Sequence, residues 1–199
     1  IAAYGPTALT GVTDWADTEP GNDPVRRVGL LHAGSNSVAL ALYTASLRAR
    51  RRGDRGRGVA LGLAGAGVLT AGGFLGGHLS YAHGVGVDQT AFDPGSTEWT
   101  DALAVSEVRE GEPVAAQAGD APVLLYRSQG TIAAIHDRCS HRGCSLAGGE
   151  VEAGVVECPC HGSRFRLSDG QLVRGPATVP QPAFDARERD GRVEVRRRT

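Results

Sequence analysis

The chain has 199 residues, a formal net charge of −1 and 22% charged side chains, which gives no basis for nucleic-acid binding, a function that draws on a continuous basic surface. An apolar, glycine-rich first half gives way to a polar, strand-like second half, so two domains suit this length better than one. There is no methionine and the chain opens Ile1-Ala2-Ala3, so we expect a beginning that is processed or lies upstream.

Ile1 to Val12 is apolar, contains Tyr4-Gly5-Pro6, and is shorter than the roughly 20 apolar residues a bilayer crossing needs. It reads as the remnant of a membrane helix over residues 1–13. Asp14 to Pro24 is acidic and rich in turn formers and reads as a loop, with Trp15 suited to a membrane interface. Val28 to Leu47 then runs for twenty residues with no acidic or basic side chain except His32. That is long enough to cross, although Ser35-Asn36-Ser37 calls for partners on a neighbouring helix. A buried helix of a soluble domain is the competing reading. Arg48 to Arg57 holds six arginines and one aspartate, and Val59 to Tyr81 is again free of Asp, Glu, Lys and Arg. Two spans, about 28–47 and 59–81, joined by a short basic loop place that loop in the cytoplasm by the positive-inside rule. The chain beyond Tyr81 is then expected outside the cytoplasm of a bacterial cell membrane, as part of a multi-pass protein. Arg26-Arg27 at the outer end of the first span argue the other way and are outnumbered.

Glycines at 62, 65, 67, 72, 73, 76 and 77 include two Gly-x-x-x-Gly pairs, a spacing that lets helix backbones approach or leaves room for a flat ligand. Ala8-Leu9-Thr10-Gly11-Val12-Thr13-Asp14-Trp15 and Gly76-Gly77-His78-Leu79 resemble a family of small multi-helix bacterial membrane domains of unsettled function, some of them fused to a second domain. This resemblance covers about residues 1–88 and transfers no chemistry. His32 and His78 fall at matching depth, about 5 to 6 Å from the outer ends of their spans at 1.5 Å per residue. Two such histidines are able to ligate a haem b or line a quinone pocket, and equally to hydrogen-bond a neighbouring helix. His83 reads as interfacial.

Residues 84–106 read as a linker. The seventeen residues from Gly84 to Thr100 lack periodicity and reach at most about 56 Å when extended. From Leu103 the pattern is short strands and turns: Pro113–Ala116, Val123–Arg127, Thr131–His136, Val155–Glu157, Arg164–Leu167 and Arg192–Val195, with Ser128-Gln129-Gly130 and Ser168-Asp169-Gly170 as turns. Residues 107–199 are therefore expected to form an antiparallel all-β domain. His136 reads as a strand-end residue.

Two boxes stand inside this domain, Cys139-Ser140-His141-Arg142-Gly143-Cys144 and Cys158-Pro159-Cys160-His161-Gly162-Ser163, with sixteen residues between His141 and Cys158. Each pairs one cysteine with one histidine. Cys2His2 is also a zinc set, but classical fingers keep each ligand pair of one kind. The boxes resemble those of the Rieske iron-sulfur family, in which two histidines replace two cysteines on one iron of a [2Fe-2S] cluster. The resemblance implies that Cys139 and Cys158 hold one iron and His141 and His161 the other. It further implies a Cys144–Cys160 disulfide clamping the two loops, which would suit an oxidising compartment.

Ser163 matches a serine that bonds a cluster sulfide in high-potential members, whereas Phe165 stands where those members carry a tyrosine. Arg142 replaces an apolar residue often found in quinol-oxidising members. Gly175-Pro176-Ala177 resembles the family's cluster-covering loop. Ser163 and Phe165 together imply an intermediate potential within a class range of about −150 to +300 mV, and Arg142 makes direct quinol oxidation less secure. The whole reads as a multi-domain chain: a partial N-terminal transmembrane α-helical bundle over residues 1–83, a linker, and a C-terminal all-β antiparallel Rieske domain. Its expected function is membrane-anchored electron transfer beside respiratory-chain or cytochrome subunits, with quinol as a candidate donor. The alternatives are a haem b- or quinone-binding membrane oxidoreductase and a redox-sensing interaction module.

Overall fold

The computed structural model describes residues 3–16 and 23–199, which fall into two compact units divided between His83 and Gly84. The first unit holds three helices, α1 (Tyr4–Ala16), α2 (Asp23–Arg51) and α3 (Arg55–Tyr81). The expected loop at Asp14 to Pro24 is shorter than its composition suggests. Asp14, Trp15 and Ala16 complete α1, and Asp23 and Pro24 begin α2, where proline suits the first turn because its missing N–H would have no helical partner. Residues 17–22 of that loop lie outside the described residues, as do Ile1 and Ala2. Trp15 packs its indole against Gly29 while Arg26 stacks over the ring at 4.7 Å, so this tryptophan serves the α1–α2 contact.

The arginine-rich loop is reduced to Arg52-Gly53-Asp54. Gly53 adopts φ +84°, and the Asp54 and Gly53 N–H groups donate to the Ala49 and Arg50 carbonyls, the paired bonds that close a helix through a left-handed residue. Asp54 then caps α3 by accepting the Arg57 N–H at 3.1 Å. The seam between α2 and α3 is built on glycine. A Cβ at Gly58 would lie 2.5 Å from the Arg50 side chain, one at Gly72 3.1 Å from Asn36, and one at Gly76 3.0 Å from the His32 ring. Gly67 and Gly73 meet nothing within 4 Å, so of the two expected pairs Gly72-x-x-x-Gly76 lies in this seam and Gly73-x-x-x-Gly77 does not. Polar groups of α2 turn into the seam, with Ser46 Oγ donating to Gly58 O at 2.6 Å. Leu30, Leu31, Val38, Val59, Leu63 and Phe74 instead lie exposed. Among the described residues one helix, α3, is long and apolar enough to cross a membrane, with a mean hydropathy of 1.7 over its most apolar stretch.

The second unit is all-β. Ten strands run β1 (Thr100–Ala104), β2 (Pro113–Ala118), β3 (Ala121–Ser128), β4 (Thr131–His136), β5 (Glu150–Glu152), β6 (Val155–Glu157), β7 (Arg164–Arg166), β8 (Leu172–Arg174), β9 (Ala183–Arg189) and β10 (Arg192–Arg197). They form an antiparallel six-stranded sheet in the order β1-β10-β9-β4-β3-β2 and a four-stranded meander β5-β6-β7-β8. The run Val123-Leu124-Leu125 has no polar alternation because β3 is buried on both faces. Val123 and Leu125 join one core with Phe184, Val193 and Val195, while Leu124 joins Ile135, Leu146, Val156 and Phe165 in a second.

The stretch expected to be a linker over 84–106 belongs to this unit. Thr100–Ala104 pairs with β10, and the residues before it are tied down by backbone and side-chain bonds. Gln89 N–H donates to Ser140 O at 3.0 Å, Arg197 N–H donates to Ser96 O at 2.7 Å, and buried His136 meets Asp93 O at 3.0 Å. These bonds satisfy an aperiodic backbone that carries no ladder of its own.

Candidate metal centre

The first box connects β4 to β5 and the second closes the β6–β7 hairpin. Both fold the same way. Gly143 N–H donates back to Cys139 O and Gly162 N–H to Cys158 O; Cys139 N–H donates to Cys144 O and Cys158 N–H to Ser163 O, at 2.8 to 3.0 Å. The two glycines take φ of +86° and +72°, so each loop reverses through a left-handed residue four positions after its cysteine. In the first loop the histidine follows the cysteine by two residues and in the second by three.

These twin turns bring the donors together. Cys139 and Cys158 are buried free thiols, and the His141 and His161 rings meet edge to face at 4.9 Å between centroids. The Cys139 thiol donates to the Cys158 sulfur. That bond, with the Cys160 and His161 backbone N–H groups, holds Cys158 down at about 6 against the opposing effect of burial. Cys139 is pushed up by the same bond and by burial, although the His141 and Arg142 N–H groups point at its sulfur. Each sulfur therefore has two main-chain donors, two and three residues beyond its own. Among the described residues no three His, Cys, Asp or Glu side chains lie close enough to share one ion. The four donors separate into a sulfur pair and an imidazole pair, an arrangement that suits two metals better than one.

Support comes from several directions. The Cys144–Cys160 disulfide links the loops with a Cα–Cα distance of 6.4 Å. Ser163, fully buried, accepts the Ala177 N–H at 2.9 Å, which draws Gly175-Pro176-Ala177 over the core that holds both free cysteines. Phe165 sits fully buried in that core and brings no hydroxyl to it. Arg142 is half-buried on the turn after His141.

Other positioning residues were not visible in the sequence. Asp137 accepts from Ser145 Oγ at 2.6 Å and Ala147 N–H at 2.7 Å, and its backbone oxygen accepts from Leu146. Buried Gln181 accepts the Ser140 N–H at 2.7 Å and donates to Arg138 O at 3.1 Å, while Ser140 Oγ donates to Val179 O. The first box is thus held from three sides. Only an aspartate directly after a strand hinted at this, and such residues are common in turns.

Residues 98–185 match the family described as Rieske [2Fe-2S] domain. Over 98 residues the chain is 39% identical to the anthranilate 1,2-dioxygenase ferredoxin subunit of Burkholderia cepacia, a match covering 49% of this chain and 91% of that protein. The chain belongs to the Rieske family. Ferredoxin CarAc of Metapseudomonas resinovorans is 33% identical over 49% of this chain and 92% of its own length. The cytochrome b6-f complex iron-sulfur subunit of Chlorobaculum tepidum is 30% identical over 45% of this chain and 49% of its own length. Residues 2–89 match the family described as Predicted membrane protein (DUF2231), so the chain joins the two families end to end.

The donors of this Rieske domain fit the family's cluster: two soft sulfurs, one already favouring the thiolate, and two imidazoles beside them. Cys139, Cys158, His141 and His161 would hold it. When bound, the cluster supplies a one-electron couple, while the protein's own part is to aim backbone N–H groups at the sulfurs and to bury them.

The helical histidines take different partners. His32 Nδ1 lies 2.7 Å from Gly72 O and its Nε2 lies 3.0 Å from Asn36 Nδ2, so both ring nitrogens are engaged within the α2–α3 seam. His78 stacks on Phe74 and meets His83 edge to face at 4.9 Å. Of the readings open for His32, the hydrogen bond to a neighbouring helix is the one these contacts carry.

Proposed function

We propose that this chain is a membrane-anchored Rieske electron-transfer protein that carries single electrons on the extracytoplasmic side of a bacterial membrane, as a subunit or accessory of a quinol- or cytochrome-linked chain. Cys139, His141, Cys158 and His161 are its cluster ligands, and the observation that carries the reading is their convergence in twin loops clamped by Cys144–Cys160. The disulfide favours an oxidising compartment. The helical unit supports the anchor because His32, Asn36 and Ser46 bond within the seam while Leu30, Leu31, Leu63 and Phe74 face outward, the reverse of a water-soluble bundle. Both α2 and α3 cross in this reading. The arginine-rich turn lies in the cytoplasm and His83 at the outer interface.

The ferredoxin relatives favour a second reading, in which the cluster delivers electrons to a terminal oxygenase. A redox titration of the purified chain separates the two. Ser163 with Phe165 supports an intermediate potential, and a value near the bottom of the class range would favour the oxygenase donor. The topology has its own test: a membrane-impermeant thiol reagent applied to intact cells should fail to label a cysteine introduced at Arg52. Labelling from outside would overturn the orientation.

A further inference from the structure

A groove of about 620 Å³ runs along the helical unit, walled by Leu40, Tyr43, Leu47, Leu63 and Leu69 with Tyr4 of α1 at its side. Its walls are apolar and open; Leu63 is 70% exposed. Arg50 lines one end. The stem of this arginine lies over Gly58, and its guanidinium bends toward the first turns of α3, with Nη2 3.5 Å from Gly58 O. Among the described residues no carboxylate pairs with Arg50, Arg48, Arg51, Arg52, Arg55 or Arg57. The one acidic side chain at this end, Asp54, is occupied with capping α3. The groove therefore begins at a cluster of unneutralised positive charge and continues as hydrocarbon.

Its length identifies the occupant. From Arg50 to Ala39, the lining positions farthest apart on α2, is eleven residues, about 16 Å along the helix at 1.5 Å per residue. That is about half of a 30 Å hydrocarbon core, the depth of one leaflet. We propose that the groove is a site for an anionic glycerophospholipid, with one acyl chain lying against Leu47, Leu63 and Leu69 and the phosphate held by Arg50. A zwitterionic lipid would present the same chain without the net charge, so selectivity rests on the arginines. The site rests on the membrane reading of the helical unit given above and goes beyond it by naming the lipid and the residue that selects it.

Native mass spectrometry of the full chain, purified in a mild non-ionic detergent and delipidated, tests it. The protein is offered equal amounts of phosphatidylglycerol and phosphatidylcholine with identical palmitoyl and oleoyl chains. Phosphatidylglycerol adducts should dominate. Arg50→Gln should reduce that preference about fivefold, the effect of one arginine at an anionic headgroup. Leu63→Trp, which fills the groove and leaves the charges in place, should remove both adducts at unchanged helical content. Equal binding of the two lipids, or a preference that survives both substitutions, overturns the lipid site alone. Release of the protein from membranes by alkaline carbonate without detergent overturns the membrane reading, and the lipid site with it.

Discussion

Replacing Phe165 by tyrosine probes how the protein sets the potential of its cluster. Phe165 is fully buried on β7 in the same core as Cys139 and Cys158, so a para-hydroxyl there must find a buried acceptor or leave a polar group stranded at a cost of about 1 to 3 kcal/mol. The sulfurs of the two cysteines are the soft, negatively charged acceptors of that core once they ligate iron. A hydrogen bond to a charged acceptor contributes about 1.5 to 3 kcal/mol, and the reduced cluster, one electron more negative, draws more from it than the oxidised one. If that difference is about 1 kcal/mol, the potential rises by about 40 mV, because about 59 mV corresponds to a tenfold change for one electron. An EPR-monitored redox titration of Phe165→Tyr beside the parent chain measures it. A rise of that size with stability within about 1 kcal/mol of the parent is expected. An unchanged or lowered potential in a folded, fully loaded protein would refute the expectation that a hydroxyl on this ring reaches a cysteine sulfur of the same core.

Other consequences are direct. Cys144→Ser with Cys160→Ser opens a disulfide of sequence separation 16, and the β unit should lose about 3 kcal/mol in chemical denaturation, with faster bleaching of the cluster. Burial holds His136 below its ordinary value near 6.5, against the raising influence of Asp93. The unfolded chain therefore binds more protons than the folded one below pH 6.5, and stability falls as the pH drops through that value and is level above it. His136→Gln should flatten that acid limb in urea titrations at pH 5 to 8. Gly76→Leu drives a side chain into the His32 ring and should part the α2–α3 hairpin, seen as a lower melting temperature of the helical signal; a fully tolerated leucine would mean that the seam is not there.

The strands that carried alternating or continuous apolar residues were legible: β2, β3, β4, β6, β7 and β10 all appear where Ala, Val, Leu, Ile and Phe recur. Four others were hidden. Glu150-Val151-Glu152 and Leu172-Val173-Arg174 are three residues long and carry little pattern, and β1 offered only five residues at the end of a turn-rich stretch. β9 reads as a charged segment because its outward side chains are paired across strands, Arg187 with Glu194 and Asp185 with Arg196 and Arg198. The segment before β1 looked like a tether because its fastenings are single hydrogen bonds to distant loops, which leave no periodicity to read.

The site divides in the same way. The four donors stood out because cysteine and histidine are rare and their spacing is chemically restrictive, whereas the Cys144–Cys160 pairing followed only from the resemblance to the Rieske family. Asp137, Ser140 and Gln181, which fasten the first loop, belong to common residue types whose role depends on what faces them in space. Which of its readings His32 takes could not be told from sequence, because equal depth along two helices does not fix which way a ring turns. The glycines opposite it drew the ring into the seam, onto Gly72 O and Asn36.

The most direct test of the central claim is pulsed EPR of the dithionite-reduced, membrane-extracted chain with nitrogen-15 histidine. Two strongly coupled histidine nitrogens on a single reduced [2Fe-2S] centre, lost with the cluster in His141→Ala and in His161→Ala, are the predicted result. A chain that carries stoichiometric zinc, or a reduced iron-sulfur centre with no coupled nitrogen, would contradict the account.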